Sequence, residues 1–114
     1  AAARGVVIDC VFETTEDSGG RLSFSASSNL ADIPGVRLWR WPRDQRGHED
    51  ASLHAKLLVV DRRDALVTSA NLTERAFQDN LELGILLKRH PVAGNVDAHV
   101  RALMSSGTLV RVAQ

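Results

Sequence analysis

Short apolar runs rich in β-branched residues recur along this chain, separated by turn-like or helix-like sequence. The first run, VVIDCVF at 6–12, is apolar almost throughout, which is typical of a strand covered on both faces by helices. Strands interleaved with helical sequence favour a mixed α/β architecture. We therefore predict an α/β fold in which a mixed β-sheet is flanked by helices.

Periodicity and the positions of Gly and Pro predict the other elements. We expect Ala1–Ala3 to be the last turn of a helix, with Gly5 as its stop. Further strands are predicted at 36–41, 52–60, 65–69, 81–88 and 108–112, with a tight turn at 62–64 and a charged loop at 42–51. Helical segments are predicted at 21–33 (weak and rich in serine), 72–77 (one turn or two) and 95–105.

The composition is that of one globular domain rather than of a disordered or membrane-spanning chain. Of the 114 residues, 44% are hydrophobic and 25% are charged, and the net charge is zero. The sequence contains neither an apolar run of about 20 residues nor a secretory leader, so we expect a cytoplasmic protein. The balanced charge excludes a strongly basic footprint but leaves open a local basic patch for nucleic acid. Cys10, the single cysteine, is interpreted as a buried thiol.

Polar side chains recur within the otherwise apolar segment 53–87, where burying each without a partner would cost free energy. Residues two apart on a strand point to the same face, and three polar pairs have this spacing. They are His54 and Lys56, Ser69 and Asn71, and Asn80 and Glu82. Neighbouring strand ends then bring these groups to one pocket. Asp61 has an odd offset from His54, so it either points to the other face or lies in the turn, and in both cases we expect a structural role.

The spacing is H-x-K-x4-D, then T-S-x-N after six residues, then N-x-E. This pattern resembles the HKD motif of the phospholipase D superfamily. Thr68 stands where that motif usually has glycine, and a β-branched residue limits close approach of the backbone to a phosphate. The longer stretch 4–87 also resembles the phospholipase D-like component of bacterial antiphage systems of the DISARM type.

The resemblance implies a phosphodiesterase. His54 would attack phosphorus to form a phosphohistidine, or act as the general acid, while Lys56 neutralises a non-bridging oxygen. Ser69 and Asn71 would donate hydrogen bonds to the phosphate, and Glu82 would accept one from the far nitrogen of His54. No metal or other cofactor is expected, because the cations are side chains.

Superfamily enzymes use two copies of the motif, and this sequence contains one. His48, His90 and His99 all lack a lysine two residues further on. The partner copy is expected from the same full-length chain or from an identical subunit. Because the chain opens in the tail of a helix, we expect residues 1–114 to be one domain, the C-terminal half of a longer two-motif protein. Alone, this half is expected to be inactive or to depend on self-association.

The sequence favours nucleic acid as the phosphodiester substrate, and two alternatives stay open. One is a phospholipid phosphodiesterase or transphosphatidylase, and the other is a binding or scaffold subunit that retains the fold without catalysis. Arg43 and Arg46 fit either a contact to a polyanion or a solvated charged loop. Trp39 and Trp41 fit base stacking, although core packing is favoured.

Overall fold

The protein is described from a computed structural model that covers residues 1–19, 30–71 and 78–112. Its regular elements in these ranges are β1 (Ile8–Val11), β2 (Val36–Arg40), β3 (Leu57–Val60), β4 (Asp64–Thr68), β5 (Gly84–Leu87), α1 (Pro91–Ser105) and β6 (Val110–Arg111). The chain divides into two compact units, Ala1–Leu53 with Leu103–Gln114 and His54–Ala102, which are described separately. The mixed α/β class is confirmed, with the strands distributed over two three-stranded sheets.

The first unit contains the sheet β1-β2-β6, in which β1 and β2 are parallel and β2 and β6 are antiparallel. Leu38 at the centre of β2 is fully buried. A 3-10 turn at Ala2–Arg4 precedes β1 and ends at Gly5, whose φ of 83° suits a residue without a Cβ. The predicted stop at Gly5 is thus confirmed, but it ends a short 3-10 turn at Ala2–Arg4 rather than the helix turn predicted at Ala1–Ala3. The strands predicted at 36–41 and 108–112 are confirmed with shorter bounds.

The second unit is built on the antiparallel meander β3-β4-β5. The predicted hairpin is confirmed: Val60 pairs with Asp64, and the connection includes two residues of positive φ, Asp61 at 52° and Arg62 at 58°. Two consecutive left-handed residues match the right-handed twist of the strands that they join. Asp61 therefore lies in the turn, which is the second of its two expected placements, and the turn occupies 61–63 rather than the predicted 62–64.

Two strands begin later than predicted. β3 starts at Leu57 and β5 at Gly84, so the catalytic candidates His54, Lys56 and Glu82 lie just ahead of strands rather than inside them. The Lys56 ammonium donates to the His54 carbonyl at 2.8 Å. Such local bonds from side chain to backbone compete with the ladder bonds that would extend a strand.

Helix α1 begins at Pro91, four residues before the predicted start. Proline suits the first turn of a helix, where its missing N–H would have had no partner. The adjacent His90 Nδ1 accepts the Val92 N–H at 3.2 Å. Gly107, with a φ of 82°, follows the helix as its predicted stop. Within the described ranges, no helix combines the length and apolar character needed to cross a bilayer.

The helix predicted at 72–77 lies outside the described residues, as does most of the one predicted at 21–33.

Candidate active site

His54 and Lys56 lie together at the entrance to β3. The Lys56 Nζ is 3.1 Å from His54 Nδ1, while the lysine is half-buried and the imidazole is exposed. The Lys56 carbonyl accepts the Thr68 N–H at 3.1 Å, which ties this segment to β4. The structure therefore brings the predicted imidazole and ammonium into direct contact.

This contact is compatible with one tautomer of His54. A lysine ammonium has only donors, so Nδ1 would accept in this contact and the ring proton would lie on Nε2. In this state the Lys56 ammonium and the His54 imidazole interact as donor and acceptor.

Ser69, Asn80 and Glu82 form a second cluster, between the end of β4 and the approach to β5. The Ser69 hydroxyl donates to Glu82 Oε2 at 2.5 Å, and Asn80 Nδ2 donates to Oε1 at 3.3 Å. Ser69 Oγ also accepts the Leu83 N–H at 3.1 Å. Both oxygens of the carboxylate are therefore occupied by neighbouring side chains.

The resemblance implies a hydrogen bond between Glu82 and His54, and this bond is not among the described hydrogen bonds. Among the described hydrogen bonds neither nitrogen of the imidazole donates to this carboxylate, whose partners are Ser69 and Asn80. The physical reason is that a hydroxyl and an amide lie nearer to it along the same strand ends. In this state Glu82 orients Ser69 rather than His54.

Asn71 and Asp61 lie beyond opposite ends of β4 in the chain. Asn71 is exposed, three residues after the end of β4 and two residues after Ser69. Asp61 lies in the turn at the opposite end of β3 from Lys56, which suits a structural role.

In the described ranges no three His, Cys, Asp or Glu side chains cluster as metal ligands. The metal-free mechanism stays a prediction.

Thr68, in the place of the usual glycine, lies opposite a glycine on the neighbouring strand. It pairs with Gly84 across β4 and β5, and a Cβ on Gly84 would approach the Thr68 Cβ to 3.1 Å. Because Gly84 has no side chain, it leaves room for the side chain of Thr68 on the neighbouring strand. The Thr68 hydroxyl also accepts the Ala70 N–H at 3.1 Å, which shapes the chain between Ser69 and Asn71.

The first unit contains a buried ionic cluster that the sequence did not predict. Arg46, with a side chain only 1% exposed, forms an ion pair with Glu13 at 2.5 Å and lies 4.8 Å over the Trp41 ring. Glu13 and Arg46 are 33 residues apart and share no motif, so no spacing signalled their contact. Arg46 is therefore a structural cation and not a free contact for a polyanion, whereas Arg43 is exposed.

The adjoining loop offers little net attraction for an anion. An open cleft of about 760 Å³ is lined by four acidic residues, three arginines and a histidine.

Trp39 donates its Nε1–H to Asp9 at 2.8 Å and has Arg111 at 5.4 Å from its ring. Each tryptophan ring therefore has a partner within the chain, Arg111 for Trp39 and Arg46 for Trp41. These contacts support core packing over base stacking.

The surroundings of Asp17 and of Cys10, both in this unit, shift the pKa of each side chain. Burial raises the pKa of Asp17, but hydrogen bonds from Thr14, from Arg40 and from the Arg43 backbone, with the charge of Arg40, outweigh it and lower the pKa overall. Burial and, second, the charge of the adjacent aspartate raise the pKa of the Cys10 thiol.

Known proteins resemble this chain in sequence and in fold. The family described as "Cardiolipin synthase, PLD-like domain" matches residues 1–104. The chain belongs to this PLD-like family. Cardiolipin synthase A from Pseudomonas aeruginosa strains LESB58 and UCBPP-PA14 is 32% identical over 105 residues, which cover 90% of this chain and 20% of each relative. This PLD-like chain therefore spans about a fifth of the length of those relatives.

The solved structure of NucT from Helicobacter pylori matches with a TM-score of 0.74 at 16% identity, covering 97% of this chain and 69% of that one. At this identity the match supports the PLD-like fold alone.

Proposed function

We propose that this PLD-like domain carries one half of a phosphodiesterase site, with His54 as nucleophile and Lys56 as its phosphate-binding cation. The observation that carries the proposal is the 3.1 Å contact between Lys56 Nζ and His54 Nδ1 at an exposed strand end. Ser69 and Asn71 are the proposed hydrogen-bond donors to the phosphate, and Glu82 orients the imidazole during the reaction. Asp61 supports the turn.

In the proposed mechanism the phosphate replaces contacts that the site makes with itself. Lys56 moves from His54 Nδ1 to a non-bridging oxygen, and Ser69 moves from Glu82 to the phosphate. Nδ1 then takes the ring proton and can donate it in a hydrogen bond to the freed Glu82. The Nε2 lone pair attacks phosphorus, the P–O bond to the leaving group breaks, and a phosphohistidine forms.

The leaving oxygen needs a proton, and we assign its donor to a second HKD half. That half comes from the same full-length chain or from an identical subunit, because the sequence has no second H-x-K. Water or another alcohol then attacks the phosphohistidine, restoring His54. This domain alone is expected to be inactive or to require self-association.

Nucleic acid is the proposed substrate. Four exposed basic residues lie at the far end of the second unit's sheet: Arg62, Arg63, Lys88 and Arg89. The four residues of β3 separate them from Lys56 by about 13 Å. A polymer with successive phosphates can contact both ends of such a strand, whereas one phospholipid headgroup cannot. We also propose an antiphage role of the DISARM type, on the basis of the resemblance of the stretch 4–87.

Phosphatidyl transfer is the second candidate, and two observations favour it. The sequence relatives are named cardiolipin synthases and are 32% identical to this chain. An open cleft of about 480 Å³ over Glu82 is also lined by several leucines, including the exposed Leu81 and Leu83. Such a lining suits acyl or glyceryl groups better than a nucleotide.

The test assays the full-length protein on single-stranded DNA, RNA, and vesicles of phosphatidylcholine or phosphatidylglycerol, each with and without EDTA. The His54→Ala variant is compared with His99→Ala, a control at an exposed position on α1. We expect cleavage of nucleic acid that resists EDTA, is lost in His54→Ala and is retained in His99→Ala.

Other outcomes redirect the proposal. Turnover of phospholipid alone would select the second candidate, and loss of activity in EDTA would overturn the metal-free mechanism. Cleavage that survives His54→Ala would remove His54 from the chemistry. Binding to nucleic acid with no turnover of any substrate would identify a scaffold subunit.

A further inference from the structure

The carboxylate of Glu13 contacts the backbone next to His54. Glu13 Oε2 accepts the Leu53 N–H at 2.9 Å, and Leu53 immediately precedes His54 in the chain. The same carboxylate is held by Arg46, through Nη2 at 2.5 Å and Nη1 at 3.1 Å. From these contacts we infer that Glu13, fixed by Arg46, is a positioning residue for His54.

Arg46 is itself immobilised. Its guanidinium donates to the Trp41 carbonyl at 2.5 Å, to the Ala51 carbonyl at 2.9 Å and to the Asp17 carbonyl at 3.1 Å. It therefore joins the beginning and the end of the loop that leads to His54. A planar guanidinium with several fixed acceptors has little freedom to rotate, so its hold on Glu13 is rigid.

The position of His54 depends on such anchors because it lies outside any strand. Backbone hydrogen bonds flank it at Leu53 N–H, which Glu13 accepts, and at the Lys56 carbonyl, which accepts from Thr68. The Glu13 contact lies wholly within the first unit, and its effect reaches His54 through one peptide bond. The inference rests on the proposed role of His54, since displacing a nucleophile by about 1 Å can cost about 100-fold in rate.

Removing one charge of this pair risks unfolding, so the variants are chosen to separate stability from positioning. Glu13→Leu combined with Arg46→Met leaves no buried charge and no acceptor for the Leu53 N–H. Glu13→Gln keeps an amide oxygen that can still accept it. Arg40→Met, which breaks the neighbouring ion pair with Asp17, controls for loss of an ion pair in the same unit. Glu49→Gln, at an exposed loop position, controls for loss of an acidic charge.

In the full-length protein we expect the Glu13→Leu/Arg46→Met variant to lose about 10- to 100-fold in kcat, with KM changed by less than about twofold. Exchange of the Leu53 amide hydrogen should accelerate about 10-fold. Glu13→Gln should recover part of the kcat and part of the slow exchange of the Leu53 amide. The controls Arg40→Met and Glu49→Gln should leave kcat and this exchange rate unchanged.

Two results overturn the inference: a folded double variant with kcat and Leu53 exchange like the unmodified protein, or an equal loss of kcat in Arg40→Met. Failure of the proposed function gives a different pattern, namely an active His54→Ala variant or a protein without phosphodiesterase activity. The Leu53 exchange measurement needs no activity, so it tests the anchor in either case.

Discussion

Arg46→Ala should be among the most destabilising single substitutions in the first unit. It leaves the Glu13 carboxylate, whose side chain is 12% exposed, without its ion-pair partner. Breaking a buried pair in this way costs about 3–5 kcal/mol. The carbonyls of Trp41 and Ala51 lose their donor as well, at about 0.5–1.5 kcal/mol each unless water replaces it. We therefore expect a total near 5 kcal/mol.

That loss is large against the roughly 5–15 kcal/mol by which a domain is ordinarily stable. At about 4 °C per kcal/mol, the unfolding midpoint should fall by about 15–20 °C. The matched control is Arg43→Ala, which removes an exposed guanidinium and keeps the Arg43 backbone N–H that donates to Asp17. It should change the free energy of unfolding by no more than about 0.5 kcal/mol.

Thermal and urea unfolding, followed by tryptophan fluorescence and far-UV circular dichroism, measure both variants. The Glu13→Leu/Arg46→Met variant should recover most of the loss, because it removes the Glu13 carboxylate that Arg46→Ala leaves without its ion-pair partner. If Arg46→Ala costs no more than Arg43→Ala, the reasoning from burial and ion pairing is wrong.

Three further predictions concern single positions. Gly84→Ala should lower the unfolding midpoint by several degrees because its Cβ would meet Thr68, whereas Gly47→Ala, in open space, should not; equal midpoints would refute the clash. Asp17 has a lowered folded pKa, so its stabilisation is complete above the unfolded value of about 3.9 and is lost as the pH falls through the folded value. Urea titrations should therefore show the stability gap between Asp17→Asn and the unmodified protein closing below about pH 4, and a constant gap would contradict this. Cys10, predicted as a buried thiol, is half-buried; it should react with iodoacetamide at pH 8 much more slowly than free cysteine does, because its pKa is raised, and equal rates would contradict this partial burial.

The sequence predicts the apolar framework well, because burial imposes a period on it. The hairpin around Asp61 and the stop at Gly107 follow from side-chain alternation and turn chemistry. The contact between His54 and Lys56 was also predictable, since residues two apart on extended backbone share a face even where no strand forms.

Through-space contacts were not predictable in the same way. The pairing of Glu13 with Arg46 joins residues 33 apart and leaves no periodic signal. Glu82 was predicted to contact His54, yet a carboxylate between two nearby donors takes the closer ones, here Ser69 and Asn80. The late starts of β3 and β5 have a similar origin, because polar side chains ahead of each strand form local hydrogen bonds.

The central claim, that phosphoryl transfer passes through His54, is tested most directly by trapping the intermediate. The full-length protein is mixed with substrate labelled at the scissile phosphorus, quenched in alkali to preserve phosphohistidine, digested and analysed by mass spectrometry. The account predicts a labelled phosphoryl group on the peptide containing His54 and none in the His54→Ala variant. Turnover with the label on another residue, or with no labelled residue at all, would contradict it.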